Sequence, residues 1–219
     1  MKDVIVSASV LNADFLHLDT EIQKLKDCSI KWVHFDVMDG HFVQNISIGN
    51  TVLKHILNRI DLVKDVHIMI EDPLSSIEKY ADCGADYLTF HYEACKSDKE
   101  VFDVIDKIHS LNMKAGISVK PNTPINKIYP FLHSLDLVLI MSVEPGKGGQ
   151  KFIDLSLNKM SALRNKIDEE RVDVLISVDG GVNDITGPEC LKMGANVLVV
   201  GSYLFGHDDF KERYERLLK

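Results

Sequence analysis

Short runs of aliphatic and β-branched residues recur along the chain at positions 4–10, 32–37, 63–69, 87–91, 114–119, 137–141, 174–178 and 197–200. Their length and their Val and Ile content are those of strands buried on both faces. Between them the period changes. Val101, Val104, Ile105, Ile108 and Leu111 are spaced by three or four, and Phe15, Leu18, Ile22 and Leu25 repeat that spacing earlier, so each set predicts one apolar stripe along a helix. Alternation of eight such strands with helical stretches predicts parallel pairing under a helical layer, and eight units suit closure into a (β/α)8 barrel, the TIM barrel. An open doubly wound sheet is the other arrangement of the same units. No linker rich in Pro, Gly and Ser interrupts the pattern, so residues 1–219 are expected to form a single barrel domain. The irregular stretches 39–49, 144–152 and 179–184 follow strands, which in a barrel puts them all on the catalytic face.

Composition narrows the partners. With 219 residues, 45% of them hydrophobic, the chain can bury a sizeable core. Its 33 acidic against 25 basic side chains give a net charge of −8, which argues against a general nucleic-acid or anionic-membrane surface. Any anionic ligand must then be held by a local pocket. Cys28, Cys83, Cys95 and Cys190 are scattered without C-x-x-C pairing and are expected to be reduced thiols. The start MKDVIVSASVL enters a strand without a cationic leader, and no apolar stretch approaches the roughly 20 residues of a membrane span, so a cytoplasmic location is expected.

Candidate chemistry lies in the strands. In WVHFDVM, His34 and Asp36 are two apart and point to one face, and His67 in DVHIMI and Asp179 in VLISVD add two more metal-capable groups. Carboxylates in buried strands need cations, hydrogen bonds or a metal as partners. Two imidazoles and two carboxylates suit Zn, Mn, Fe or Co better than Ca or Mg. Taken singly, each of the four reads better as a satisfied core histidine or a turn-capping aspartate; together, at strand ends, they point to a site. Gly146, Gly148 and Gly149, flanking Lys147 in EPGKGGQ, allow close backbone approach to a phosphate, and Gly180, Gly181, Gly201 and Ser202 end the next two strands, where barrels commonly hold phosphate. Met38, Met69 and Met141 sit at or near strand ends and either rim the cavity or fill core gaps. His91 in TFHYEA ends another strand, as a cavity residue or as a core histidine of fixed tautomer.

An ordered series of motifs then resembles the ribulose-phosphate 3-epimerase family over residues 6–205: SxLNADF at 9–15, HFDVMDGHFVxNxxxG at 34–49, DVHIMI at 65–70, KPNTP at 120–124, MSVEPGxGGQxF at 141–152 and VDGGVN at 178–183. The resemblance implies a phosphate-binding barrel holding one divalent metal per subunit, zinc first, with iron, manganese or cobalt as alternatives, through His34, Asp36, His67 and Asp179. It implies interconversion of D-ribulose 5-phosphate and D-xylulose 5-phosphate, with Asp36 and Asp179 as the acid/base pair and a homo-oligomeric assembly. Ser9 and His67 would contact sugar hydroxyls, and the glycine loop with Gly180, Gly181, Gly201 and Ser202 would hold the phosphate.

The sequence also departs from that family. Lys147 replaces an aromatic residue between the glycines, Gln44 and Ala8 stand where proline is usual, and Asn12 replaces a serine. None removes a metal-capable or acid/base residue, so these changes bear on substrate choice: D-allulose 6-phosphate is the alternative. The barrel decarboxylases and aldolases carry D-x-K-x-x-D on the second strand, whereas this chain has Asp36, Met38 and His41 there. A barrel that binds a sugar phosphate without turnover is the reading from another class.

Overall fold

Eight parallel strands, β1 (Ile5–Ser9), β2 (Trp32–Met38), β3 (Val63–Met69), β4 (Tyr87–His91), β5 (Lys114–Val119), β6 (Leu137–Met141), β7 (Leu175–Asp179) and β8 (Val197–Val200), pair in sequence order. Pairing of β8 with β1 closes the barrel and excludes the open sheet. The computed structural model describes residues 4–218; residues 1–3 and 219, the ends of the expected domain, lie outside the described residues.

The outer layer comprises α1 (Leu18–Asp27), α2 (Asn50–Leu57), α3 (Ile77–Ala81), α4 (Asp98–Ser110), α5 (Leu155–Glu170), α6 (Thr186–Lys192) and α7 (Phe210–Leu217). In α4 the stripe Val101, Val104, Ile105 and Ile108 is wholly buried, each side chain contributing about 1.5–3 kcal/mol of burial. Ser97 starts that helix by accepting from the Glu100 N–H, while Leu111 is its half-buried C-cap. The earlier stripe is shorter than its spacing predicts. Ile22 and Leu25 are buried in α1, but Phe15 lies in a separate 3-10 turn, Phe15–His17, and is exposed. Asp14 caps that turn by accepting from the Leu16 N–H, which breaks the helical phase before Leu18. The β5 to β6 crossover runs through 3-10 turns, Ile125–Lys127 and Tyr129–Ser134, where Pro130 supplies no N–H to an α-helical ladder.

Strand alternation divides the core. Val33, Phe35 and Val37 of β2 pack with the helices, while Trp32 joins Leu137, Leu139, Val197 and Val199 in an inner apolar cluster. Many other inner positions are polar and buried: Ser7, Ser9, His34, Asp36, Asp65, His67, Thr89, His91, Ser118 and Ser177. So many polar groups inside a barrel need a reason, and it lies at the C-terminal ends of the strands. All four cysteines are free, and among the described residues no helix is long and apolar enough to cross a membrane.

Candidate active site

Strand register assembles the polar interior into one cluster. Ser9 pairs with His34 across β1 and β2; His34 pairs with Asp65, and Asp36 with His67, across β2 and β3; Asp179 ends β7 opposite Met141. One ligand atom from each of His34, Asp36, His67 and Asp179 lies within 4.8 Å of the others. Asp36 Oδ1 is 3.0 Å from His67 Nδ1 and 3.3 Å from His34 Nε2, and Asp36 Oδ2 accepts from the Ser9 hydroxyl at 3.0 Å. Ser47 ties the following loop back to β2, its hydroxyl donating to the Asp36 carbonyl at 2.5 Å and accepting from the Met38 N–H at 3.0 Å.

The electrostatics follow from burial and crowding. Burial disfavours charge on His34, but the Asp65 and Asp36 carboxylates outweigh it and hold the imidazole well above its ordinary pKa. Burial would raise Asp36, yet His34 and His67 draw it below the usual carboxylate range. Asp179 goes the other way, pushed up to about 6 by burial and by the charge of Asp36. His91 is driven down to about 4, chiefly by burial. Two carboxylates and two imidazoles, with one donor atom of each within 4.8 Å of the others, could together hold a metal ion. The outer contact fits as well, because His34 Nδ1 is turned away from the cluster toward Asp65 Oδ2 at 2.7 Å.

Above the cluster, strand ends and loops line an open cleft. Ser9, Asp36 and Asp179 line its floor, while His34 and His67 lie buried beneath. Met38, Met69 and Met141 all reach it, the first two packed with Val43 and the third in the inner apolar cluster. Gly146, Lys147, Gly148 and Gly149 form one wall, and Gly180, Gly181, Gly201 and Ser202 another. Asn45 Nδ2 donates to the Gly146 carbonyl at 2.8 Å, and Gln150 Nε2 donates to the carbonyls of Glu144 and Lys147 at 2.7 and 2.9 Å, so the glycine loop is held from both ends. Gly181 has φ +65°, and a Cβ there would lie 2.6 Å from the Phe152 nitrogen. Only glycine allows that approach.

Several contributors escape the sequence reading. Asp65 and Ser7, whose hydroxyl donates to Asp65 Oδ2 at 2.9 Å, form a polar layer below His34; the signal was the i, i+2 alternation that Asp65 shares with His67. Ser142 fixes the end of β7, its hydroxyl shared between the carbonyls of Asp179 and Gly180 at 2.8 and 2.6 Å. Asn12 lines the cleft against Gly148 and Gly201, where a Cβ at Gly148 would meet its Oδ1 at 2.5 Å. His91 is fully buried under His67 and does not line the cleft.

A closed parallel barrel whose strand ends carry convergent acid, base and cation-capable groups under glycine-rich loops defines the class of (β/α)8-barrel enzymes. A solved 3-hexulose-6-phosphate synthase shares the fold with a TM-score of 0.67 at 17% identity, over 99% of this chain and 98% of its own. Sequence is more specific. The ribulose-phosphate 3-epimerase family matches residues 5–205. The chain is 43% identical to the ribulose-phosphate 3-epimerase of Bacillus subtilis over 94% of either protein, and 41% identical to that of Methanocaldococcus jannaschii over 97% of this chain and 88% of its relative. It belongs to the ribulose-phosphate 3-epimerase family and is an isomerase, an epimerase of phosphorylated sugars.

Proposed function

We propose that the protein interconverts D-ribulose 5-phosphate and D-xylulose 5-phosphate by exchanging the proton on the carbon beside the ketone. The observation that carries this reading is geometric: Asp36 and Asp179 line one cleft, each with a carboxylate oxygen within 4.8 Å of the other and of His34 and His67. Epimerisation removes a proton from one face of that carbon and returns one to the other through a planar enediolate, which takes two acid/base groups. Two carboxylates from different strands, Asp36 and Asp179, suit those complementary roles, and which one acts as base reverses with the direction of reaction.

Ser9 donates its hydroxyl to Asp36 and lines the cleft, which supports a contact with a sugar hydroxyl, whereas His67, to which the resemblance assigns the same contact, is buried beneath. A divalent cation, one per subunit and zinc first among zinc, iron, manganese and cobalt, would be held by His34, Asp36, His67 and Asp179 and would stabilise the negative charge that develops on the sugar oxygens. Met38, Met69 and Met141 give the cleft an apolar patch beside its polar floor. The phosphate has its place at the backbone N–H groups of Gly146, Gly148, Gly149, Gly180, Gly181 and Gly201 with the Ser202 hydroxyl, and Lys147 offers a cation in a chain whose net charge is −8. The subunits are expected to assemble as a homo-oligomer in the cytoplasm.

Proton NMR of zinc-loaded protein with D-ribulose 5-phosphate in deuterated water tests the reading. The expected result is D-xylulose 5-phosphate carrying deuterium at the third carbon. Inertness toward the pentose with turnover of D-allulose 6-phosphate would reassign the substrate, and inertness toward both would leave a sugar-phosphate-binding barrel.

A further inference from the structure

One residue of the cleft wall, Asn12, has no task in the proposed chemistry. It ends the 3-10 turn Val10–Asn12 directly after β1, and the backbone beyond it is tied down: the Ala13 N–H donates to the Val10 carbonyl at 2.9 Å, and the Asp14 carboxylate accepts from the Leu16 N–H at 2.9 Å. The side chain is not. It lines the cleft, and among the described residues its amide has no hydrogen-bond partner.

Two glycines from different loops make room for that amide. Gly148 belongs to the glycine loop after β6 and Gly201 follows β8, and neither has the positive φ that would demand glycine for the backbone. What each lacks is a side chain where Asn12 sits. A Cβ on Gly148 would lie 2.5 Å from Asn12 Oδ1 and 3.1 Å from its Nδ2, and a Cβ on Gly201 would lie 3.0 Å from Oδ1. The amide therefore fills the seam between the two walls whose backbone N–H groups are proposed to hold the phosphate.

No contact fixes which end of the amide faces the glycines. The last torsion of asparagine is broad and two-fold, so a half turn brings the NH2 to the place of Oδ1 at little cost. A phosphate dianion offers only acceptors, and that NH2 has two donors unspent. Lys147 brings charge on a flexible, exposed stem, whereas Asn12 brings directed donors from a fixed backbone.

We propose that Asn12 is a further substrate-binding residue, its side-chain NH2 donating to the phosphate of the sugar at the seam between Gly148 and Gly201. The inference rests on the reading of those two walls as the phosphate site.

Full-length Asn12→Leu tests the contact, since leucine keeps the branched shape and has no donor. Asn12 is exposed and its side chain makes no hydrogen bond, so the fold does not depend on it. In metal-free protein, the dissociation constant of inorganic phosphate by titration calorimetry is expected to rise about 10- to 100-fold, the worth of a hydrogen bond to a charged group. In zinc-loaded protein, KM for the sugar phosphate is expected to rise by the same factor, with kcat and zinc affinity each within about threefold of the parent. Asn12→Ser keeps a donor one bond nearer the backbone and is expected to fall between the parent and Asn12→Leu. Phosphate affinity and KM in Asn12→Leu equal to the parent's, a loss confined to kcat, or a loss in Asn12→Ser as large as in Asn12→Leu would each overturn the proposal, while phosphate binding by the parent keeps the site reading intact. A parent protein that neither binds phosphate nor turns over a sugar phosphate would overturn both. Where inorganic phosphate alone binds too weakly to titrate, the KM ratio decides.

Discussion

Asp65 Oδ2 lies 2.7 Å from His34 Nδ1 on the neighbouring strand, inside the barrel and below the cleft. The contact turns His34 Nε2 toward Asp36, so a residue that never reaches the cleft sets the direction of one that contacts its floor from beneath. Asp65→Asn keeps the shape but exchanges a charged acceptor for an amide, and metal affinity is expected to drop about 10- to 100-fold. Titration of the metal-free protein with zinc against a competing chelator measures it; an affinity equal to the parent's would remove Asp65 from the site.

Asp36→Asn and Asp179→Asn are each expected to lower kcat by at least about 10²- to 10⁴-fold, the contribution of a positioned acid/base group. Circular dichroism should still report a folded barrel, since the core clusters do not include either side chain. Near-normal turnover in both variants would sink the two-aspartate mechanism.

Removal of divalent metal by chelation and dialysis is expected to abolish turnover, and one equivalent of zinc, iron, manganese or cobalt per subunit to restore it. Metal analysis alongside the activity assay makes the check. Full activity in verified metal-free protein would refute the ligand assignment.

Gly181→Ala should weaken both the loop and the binding of the phosphate. The left-handed backbone, with φ +65°, costs about 1–3 kcal/mol for a residue bearing a Cβ, and that Cβ would collide with the backbone of Phe152 and Gln150. A urea melt and the KM for the sugar phosphate read the two effects separately. Unchanged values in both would mean that residues 150–152 give way at no cost.

Asp136 supplies a stability prediction away from the site. Burial alone would raise its carboxyl, but hydrogen bonds from Lys114, His109 and the Ala115 N–H hold it below the ordinary value of 3.8. A group whose folded pKa is depressed stabilises the fold above its unfolded pKa, and that contribution is lost as pH falls through the folded pKa. Thermal midpoints measured from pH 6 to pH 2 should therefore fall less steeply below pH 4 in Asp136→Asn than in the parent. Parallel profiles would show that the contacts of Asp136 do not distinguish its protonation states.

The sequence carried the local half of this protein. Strand lengths, the three-and-four spacing of α4 and the i, i+2 placement of His34 and Asp36 are properties of a few consecutive residues, and so were legible without a structure. The limits of local reading show at Phe15, which has the right spacing for the α1 stripe but belongs to a turn capped by Asp14. They show again in the β5 to β6 crossover, where Pro130 accompanies 3-10 turns in place of a helix.

From the sequence alone it followed that the chain holds eight strand units, that its metal-capable groups and glycines fall at strand ends, and which family the ordered motifs resemble. Tertiary structure alone decided that β8 closes onto β1, that Asp36 meets His67 and His34 meets Asp65, and that the proton affinities of Asp36 and Asp179 part in opposite directions. It alone brought Glu93 within reach of His91, and His91 within reach of His67 on the side away from Asp36. The physical reason is range: periodicity and turn chemistry act over a few residues, whereas register, desolvation and ring orientation come from neighbours supplied by other strands.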